Sequence, residues 1–116
     1  MTDGSDERAD DVTELVDRNG LVKLFANRTR ARILVTLFYA ETPLGVEAIA
    51  DRAGIYRSAV HEALEPLSAF GIIESTGEDR PRYRLAAEDD LVEAIRTVAE
   101  RSTERFYTGS ESESGR

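Results

Sequence analysis

The chemistry open to this chain is limited first by what it lacks. It has no cysteine and one histidine, His61, in 116 residues. Disulfides, thiolate metal sites, cysteine nucleophiles and histidine-paired triads are therefore excluded. No metal-ligand spacing, glycine-rich phosphate loop or nucleophile and base pair is spelled out, so neither an enzyme nor a cofactor is expected. What remains is hydrogen-bond donation by arginine. Arg57, Ser58 and His61 stand at i, i+1 and i+4, which spreads them over about 100° at the N-terminal part of one helix. Arg82 and Arg84 alternate, so a strand would turn both to one side and Tyr83 and Leu85 to the other, with Arg80 just before them. A guanidinium fork matches phosphate oxygens or the O6 and N7 edge of guanine, while serine and imidazole bond base edges or phosphate. The plain alternatives are a solvated helix face for Arg57 and His61, and pairing with Glu74 or Glu78 for the arginines of the strand.

The elements around these residues decide between those readings. Val12, Leu15 and Val16 form a short helical stripe that stops at Asn19 and Gly20, and Leu21, Val22, Leu24 and Phe25 form another. Asn27 is placed to cap a core helix carrying Ile33, Leu34, Leu37 and Phe38, which ends before Thr42, Pro43 and Gly45. Val46, Ile49, Ala50 and Ala53 outline the next helix, closed by Gly54. A longer one runs from about Arg57 to Phe70 with Val60, Leu64 and Leu67 inward, ended by Gly71 as a left-handed cap. Residues 72–76 and 82–86 read as a hairpin around the turn Gly77–Pro81. Leu91, Ile95, Val98 and Ser102 then line one face of an amphipathic helix, with Glu88, Asp89 and Asp90 at its positive dipole end.

Two helices joined by a tight turn at Gly54 make a helix-turn-helix, and the hairpin after them makes it winged. At LFANRTRARIL, residues 24–34, and GIYRSAVHEALEPLSAFGII, residues 54–73, the chain resembles the winged-helix regulators of the ArsR type and their archaeal relatives. The resemblance covers roughly residues 21–100. It implies a mainly α fold with a small β-hairpin and an added C-terminal helix, and a transcriptional regulator that binds double-stranded DNA as a homodimer. Arg57, Ser58 and His61 then fall on the part of the recognition helix that enters the major groove. Arg80, Arg82 and Arg84 suit contacts to the backbone or to a narrow minor groove. Tyr56 either bonds phosphate through its hydroxyl or staples the helix start to the core. Arg28, Arg30 and Arg32 are weaker candidates, since successive helix positions turn by about 100° and cannot share one face.

The chain departs from the family pattern in places. Tyr56 stands where a serine or threonine cap is common, Pro66 falls inside the recognition helix and is expected to bend it, and Glu62 and Glu65 lie on the helix that approaches phosphates. These two acids favour an alternative, a winged helix that binds proteins within a transcription or chromosome complex. Without cysteine, metal sensing by thiolate is excluded. A small-molecule effector at the dimer interface is compatible with the sequence, and nothing in it names one.

The net charge of −8 opposes phosphate binding at face value, but its distribution does not. Residues 1–20 and 88–116 together carry −9, and residues 21–87 carry +1. Lys23 is the only lysine among fifteen basic residues, a composition that resembles the proteins of halophilic archaea, in which an acidic surface suits multimolar salt. The acidic start offers no signal peptide, so a cytoplasmic location is expected. Residues 1–11 and 108–116 lack apolar periodicity and are expected to be disordered tails around one domain, residues 12–107. Leu91, Ile95 and Val98 are expected at the dimer interface, joined by the N-terminal helix, because little else in so short a chain can cover them.

Overall fold

The computed structural model describes residues 11–114, with side chains through Thr108. Helix α1 covers residues 11–18 and α2 covers Gly20–Leu24. Asn19 separates them because its side chain accepts a hydrogen bond from the Leu21 amide at 2.8 Å and so starts a new helix. Asn27 caps α3, Arg28–Tyr39, in the same way, accepting from the Arg30 amide at 3.1 Å. This helix buries Ile33, Leu34 and Leu37.

Helices α4, Val46–Ala53, and α5, Arg57–Ala69, pack on α3. The turn between them relies on Gly54, whose φ of 70° is left-handed and costs a side-chain-bearing residue more. A second clamp comes from α3, where Arg32 Nε donates to the Ala53 carbonyl at 2.6 Å. Pro66 lies within α5 without ending it. Gly71, at φ 74°, ends the run, and its amide donates to the Ser68 carbonyl at 2.9 Å.

Strands β1, Ile73–Thr76, and β2, Arg82–Leu85, pair antiparallel with Glu74 opposite Arg84 and Thr76 opposite Arg82. Periodicity did not reveal one further connection. Leu44, in the link between α3 and α4, forms an antiparallel bridge to Tyr83 and so fastens the wing to the start of α4. The core is built from Ile33, Leu34, Ile49, Val60, Leu67, Ile72 and Val92, each under 2 % exposed. Burial of each such side chain contributes about 1.5–3 kcal/mol. Among the described residues no polar or charged residue is buried.

Helix α6 spans Asp90–Ser114 and begins at Asp89, whose Oδ1 accepts from the Leu91 amide at 2.8 Å. Two expectations change here. The residues of α6 that the protomer buries are Val92 and Ile95, so Ile95, expected at a dimer interface with Leu91 and Val98, is covered within its own domain. Ile95 belongs to the domain's own core, Leu91 packs partly against it, and Val98 is 61 % exposed. Both patterns share Ile95 and differ by one position elsewhere, so spacing alone does not choose between them. The helix also continues to Ser114, across 108–114, which composition had assigned to a tail; once a helix is nucleated, each added residue gains one hydrogen bond. The tail expected over 1–11 lies outside the described residues except for Asp11, which opens α1. The architecture is a winged helix-turn-helix, mainly α with one two-stranded antiparallel hairpin and an added C-terminal helix.

Candidate nucleic-acid interface

The outer face of α5 follows from the inner one. Val60, Ala63, Leu64 and Leu67 are buried, which leaves Arg57, Ser58, His61, Glu62 and Glu65 exposed. Tyr56 occupies the N-cap position without a side-chain cap bond and is 84 % exposed. It therefore does not staple the helix to the core, and its ring and hydroxyl stand in solvent beside the first turn.

In the wing, Arg82 and Arg84 share the exposed side of β2, while Tyr83 is half-buried and Leu85 buried. Arg84 Nε donates to Glu74 Oε1 at 2.9 Å across the strand pair, so Arg84 makes the pairing of the plain alternative while its side chain stays exposed. Arg80 and Arg82 form no ion pair among the described residues. His61, Arg80 and Arg82 line one open cleft together with Leu44, Val46 and Glu47. The helix-turn-helix and the wing thus meet in one surface, because the Leu44–Tyr83 bridge draws the hairpin towards the start of α4. An adjoining groove, lined by Glu47, Asp51, Tyr56 and Arg57, runs along α4 to the start of α5.

Sequence reading missed Glu47. It lies in the first turn of α4, and its Oε1 accepts a hydrogen bond from Arg57 Nη1 at 3.2 Å. No periodicity links two positions ten residues apart on different helices, so only the packing of α4 on α5 reveals the pair. Two of the three core-helix arginines have structural tasks. Arg30 Nη1 bonds the Lys23 carbonyl and Arg32 bonds that of Ala53, whereas Arg28 is exposed.

Every residue of α1 is exposed, as is every residue from Glu100 to Thr108. Among the described residues no group of three or more histidine, cysteine, aspartate or glutamate side chains is arranged to hold a metal. No helix among them is long and apolar enough to cross a membrane.

No family model matches the sequence, and no curated protein matches it. Solved structures do. The chain is similar to the homodimeric winged helix-turn-helix DNA-binding domain of Mb0332 from Mycobacterium bovis, described as a possible ArsR-family transcriptional regulator. Identity is 32 %, coverage 84 % of this chain and 90 % of that one, and the TM-score 0.56. It is similar to the cadmium sensor CMTR of Mycobacterium tuberculosis at 33 % identity, covering 66 % of this chain and 78 % of that one, with a TM-score of 0.51. The antimony-specific transcriptional repressor AntR shares 26 % identity, with coverage of 84 % and 83 % and a TM-score of 0.63.

Proposed function

We propose, from the premise that this chain belongs to the ArsR-like family of winged helix-turn-helix proteins, that it is a transcriptional regulator binding specific double-stranded DNA sequences as a homodimer. The observation that carries this reading is the convergence of His61 of α5 with Arg80 and Arg82 of the wing on one cleft beside the first turn of α4. Donors from a helix that fits the major groove, and from a hairpin that reaches the flanking backbone, are then offered on one side of the molecule. In this reading Arg57, Ser58 and His61 face base edges, Tyr56 offers its hydroxyl to phosphate, and Arg80, Arg82 and Arg84 hold the backbone.

Dimerisation is supported by helices that bury little within their own protomer. An eight-residue helix with every side chain exposed is marginal in water, and Leu15, Leu21, Val98 and Phe106 add exposed apolar surface on α1, α2 and α6. In this reading Leu91 at the edge of the core and Val98 on the outer face of α6 contribute to this interface, and the homodimeric state of Mb0332 lends support. A two-fold dimer presents its recognition helices to half-sites roughly 34 Å apart, hence to a palindromic operator.

The metals sensed by CMTR and AntR are not carried over, because this chain has no thiolate to offer. The acidic, lysine-poor composition supports a setting in the cytoplasm of a halophilic archaeon. A second reading, a protein-binding winged helix, draws on the exposure of Glu62 and Glu65 on α5. Selection from a random duplex library by the full chain at graded salt separates the two. Enrichment of one palindromic sequence is expected, and recovery of no preferred sequence at any salt would leave only the protein-binding reading.

A further inference from the structure

The pair formed by Glu47 and Arg57 joins two elements that have different tasks at the surface. Arg57 opens the recognition helix α5, and Glu47 lies in the first turn of α4. Their side chains are 66 % and 84 % exposed, so in the free protein the contact contributes little to stability. Its geometry is more informative. A single carboxylate oxygen meets a single terminal nitrogen, Nη1, at 3.2 Å, and the guanidinium makes no other hydrogen bond among the described residues. The side-on fork of Nε and Nη2 is left open, and that fork matches the O6 and N7 edge of guanine. Glu47 also borders both the cleft shared with His61, Arg80 and Arg82 and the groove shared with Tyr56 and Arg57. It therefore borders both parts of the surface, and among the described residues its one ion pair is with Arg57.

We infer that Glu47 is a positioning residue that determines specificity by holding Nη1 of Arg57 so that the remaining fork meets one guanine in each half-site. The inference rests on the reading of Arg57 as a base-contacting residue. Docking of DNA removes water from the pair and lowers the local dielectric, which strengthens the carboxylate's hold when orientation matters. Unassisted, an arginine at the helix start samples many rotamers and shares itself between base and phosphate. A carboxylate that only competed with DNA would lower affinity for every sequence and leave the base ranking untouched.

The test uses the full chain and the duplex enriched in the random-library selection, with every single-base variant of that duplex as competitor. Arg57→Ala, Glu47→Ala, Glu47→Gln and the double alanine variant are compared, with thermal unfolding to show that each retains the fold. Glu47→Ala is expected to relax preference about fivefold or more at the same base pair that Arg57→Ala relaxes. Affinity for unrelated DNA should be unchanged or higher, since a negative charge is gone. Glu47→Gln, which keeps the acceptor oxygen, should recover part of the preference, and the double variant should lose nothing beyond Arg57→Ala. A uniform gain in affinity with unchanged ranking would show Glu47 to be a competitor of DNA and overturn the inference. Relaxation at a different base pair, or additive losses in the double variant, would make Glu47 a direct contact and overturn it equally. Should Arg57→Ala itself leave the ranking unchanged, the base-reading role of Arg57 fails and the inference fails with it.

Discussion

Leu44 and Tyr83 exchange both backbone hydrogen bonds, Leu44 N to Tyr83 O at 2.9 Å and Tyr83 N to Leu44 O at 2.8 Å. One residue of the link before α4 thereby acts as a third strand beside the wing, and Leu44 itself is only 6 % exposed. Two-stranded hairpins are marginal alone in water, so this bridge, together with the packing of Ile72 and Leu85 in the core, gives the wing a fixed place next to the recognition helix. The amides of Leu44 and Tyr83 should exchange with solvent more slowly than those of Gly77 to Arg80 at the tip. Leu44→Ala should cost about 2–4 kcal/mol in unfolding free energy. Equal exchange across the whole hairpin would show that the bridge does not persist.

The two buried or exposed positions on α6 should respond oppositely to a charge. Ile95→Glu puts a carboxylate into the protomer core and should prevent stable folding, because an unpaired buried charge costs several kcal/mol. Val98→Glu, at a site 61 % exposed, should leave the fold intact and shift the proposed dimer towards monomer. Circular dichroism and sedimentation velocity separate the outcomes. A Val98→Glu protein as dimeric as the parent at micromolar concentration would remove Val98 from the interface.

Wing arginines should act broadly. Arg82→Ala is expected to weaken binding to all DNA sequences alike and to reduce the salt slope by about one. Arg84→Ala should do so less, because its guanidinium already shares a hydrogen bond with Glu74 at 2.9 Å. Titrations at several salt concentrations with matched and unrelated duplexes give both quantities. A change of preference at a single base pair would instead make the wing a reader of bases.

Gly54 and Gly71 both have left-handed φ, at 70° and 74°, yet their surroundings differ. A Cβ on Gly54 would lie 3.0 Å from Arg32 Nη2, a group anchored by its neighbouring Nε on Ala53, while one on Gly71 would meet nothing within 4 Å. Gly71→Ala should therefore cost about 1 kcal/mol, the conformational term alone. Gly54→Ala should cost more, and should also weaken DNA binding by displacing the turn before α5. Thermal denaturation of the two variants orders them, and equal losses would mean that Arg32 yields freely.

Much of this protein is legible along the chain because it depends on local rules. The inward spacing of Val46, Ile49, Ala50 and Ala53, the caps at Asn27 and Gly71, and the alternation of Arg82, Tyr83, Arg84 and Leu85 each reflect one helical or strand period. Together they place the recognition helix and the wing, and with them the exposure of Arg57, Ser58, His61, Arg82 and Arg84. Contacts between elements follow no such period. The inward phase of α6 was decided by which residues meet the rest of the core, Val92 and Ile95, although Leu91 and Val98 are as apolar and as regularly spaced. The Leu44–Tyr83 bridge and the pairing of Arg57 with Glu47 likewise bring together positions that have no pattern in common. Side-chain type and spacing select the elements, whereas partners across elements are selected by how those elements close on one another, and that is a property of the packed chain.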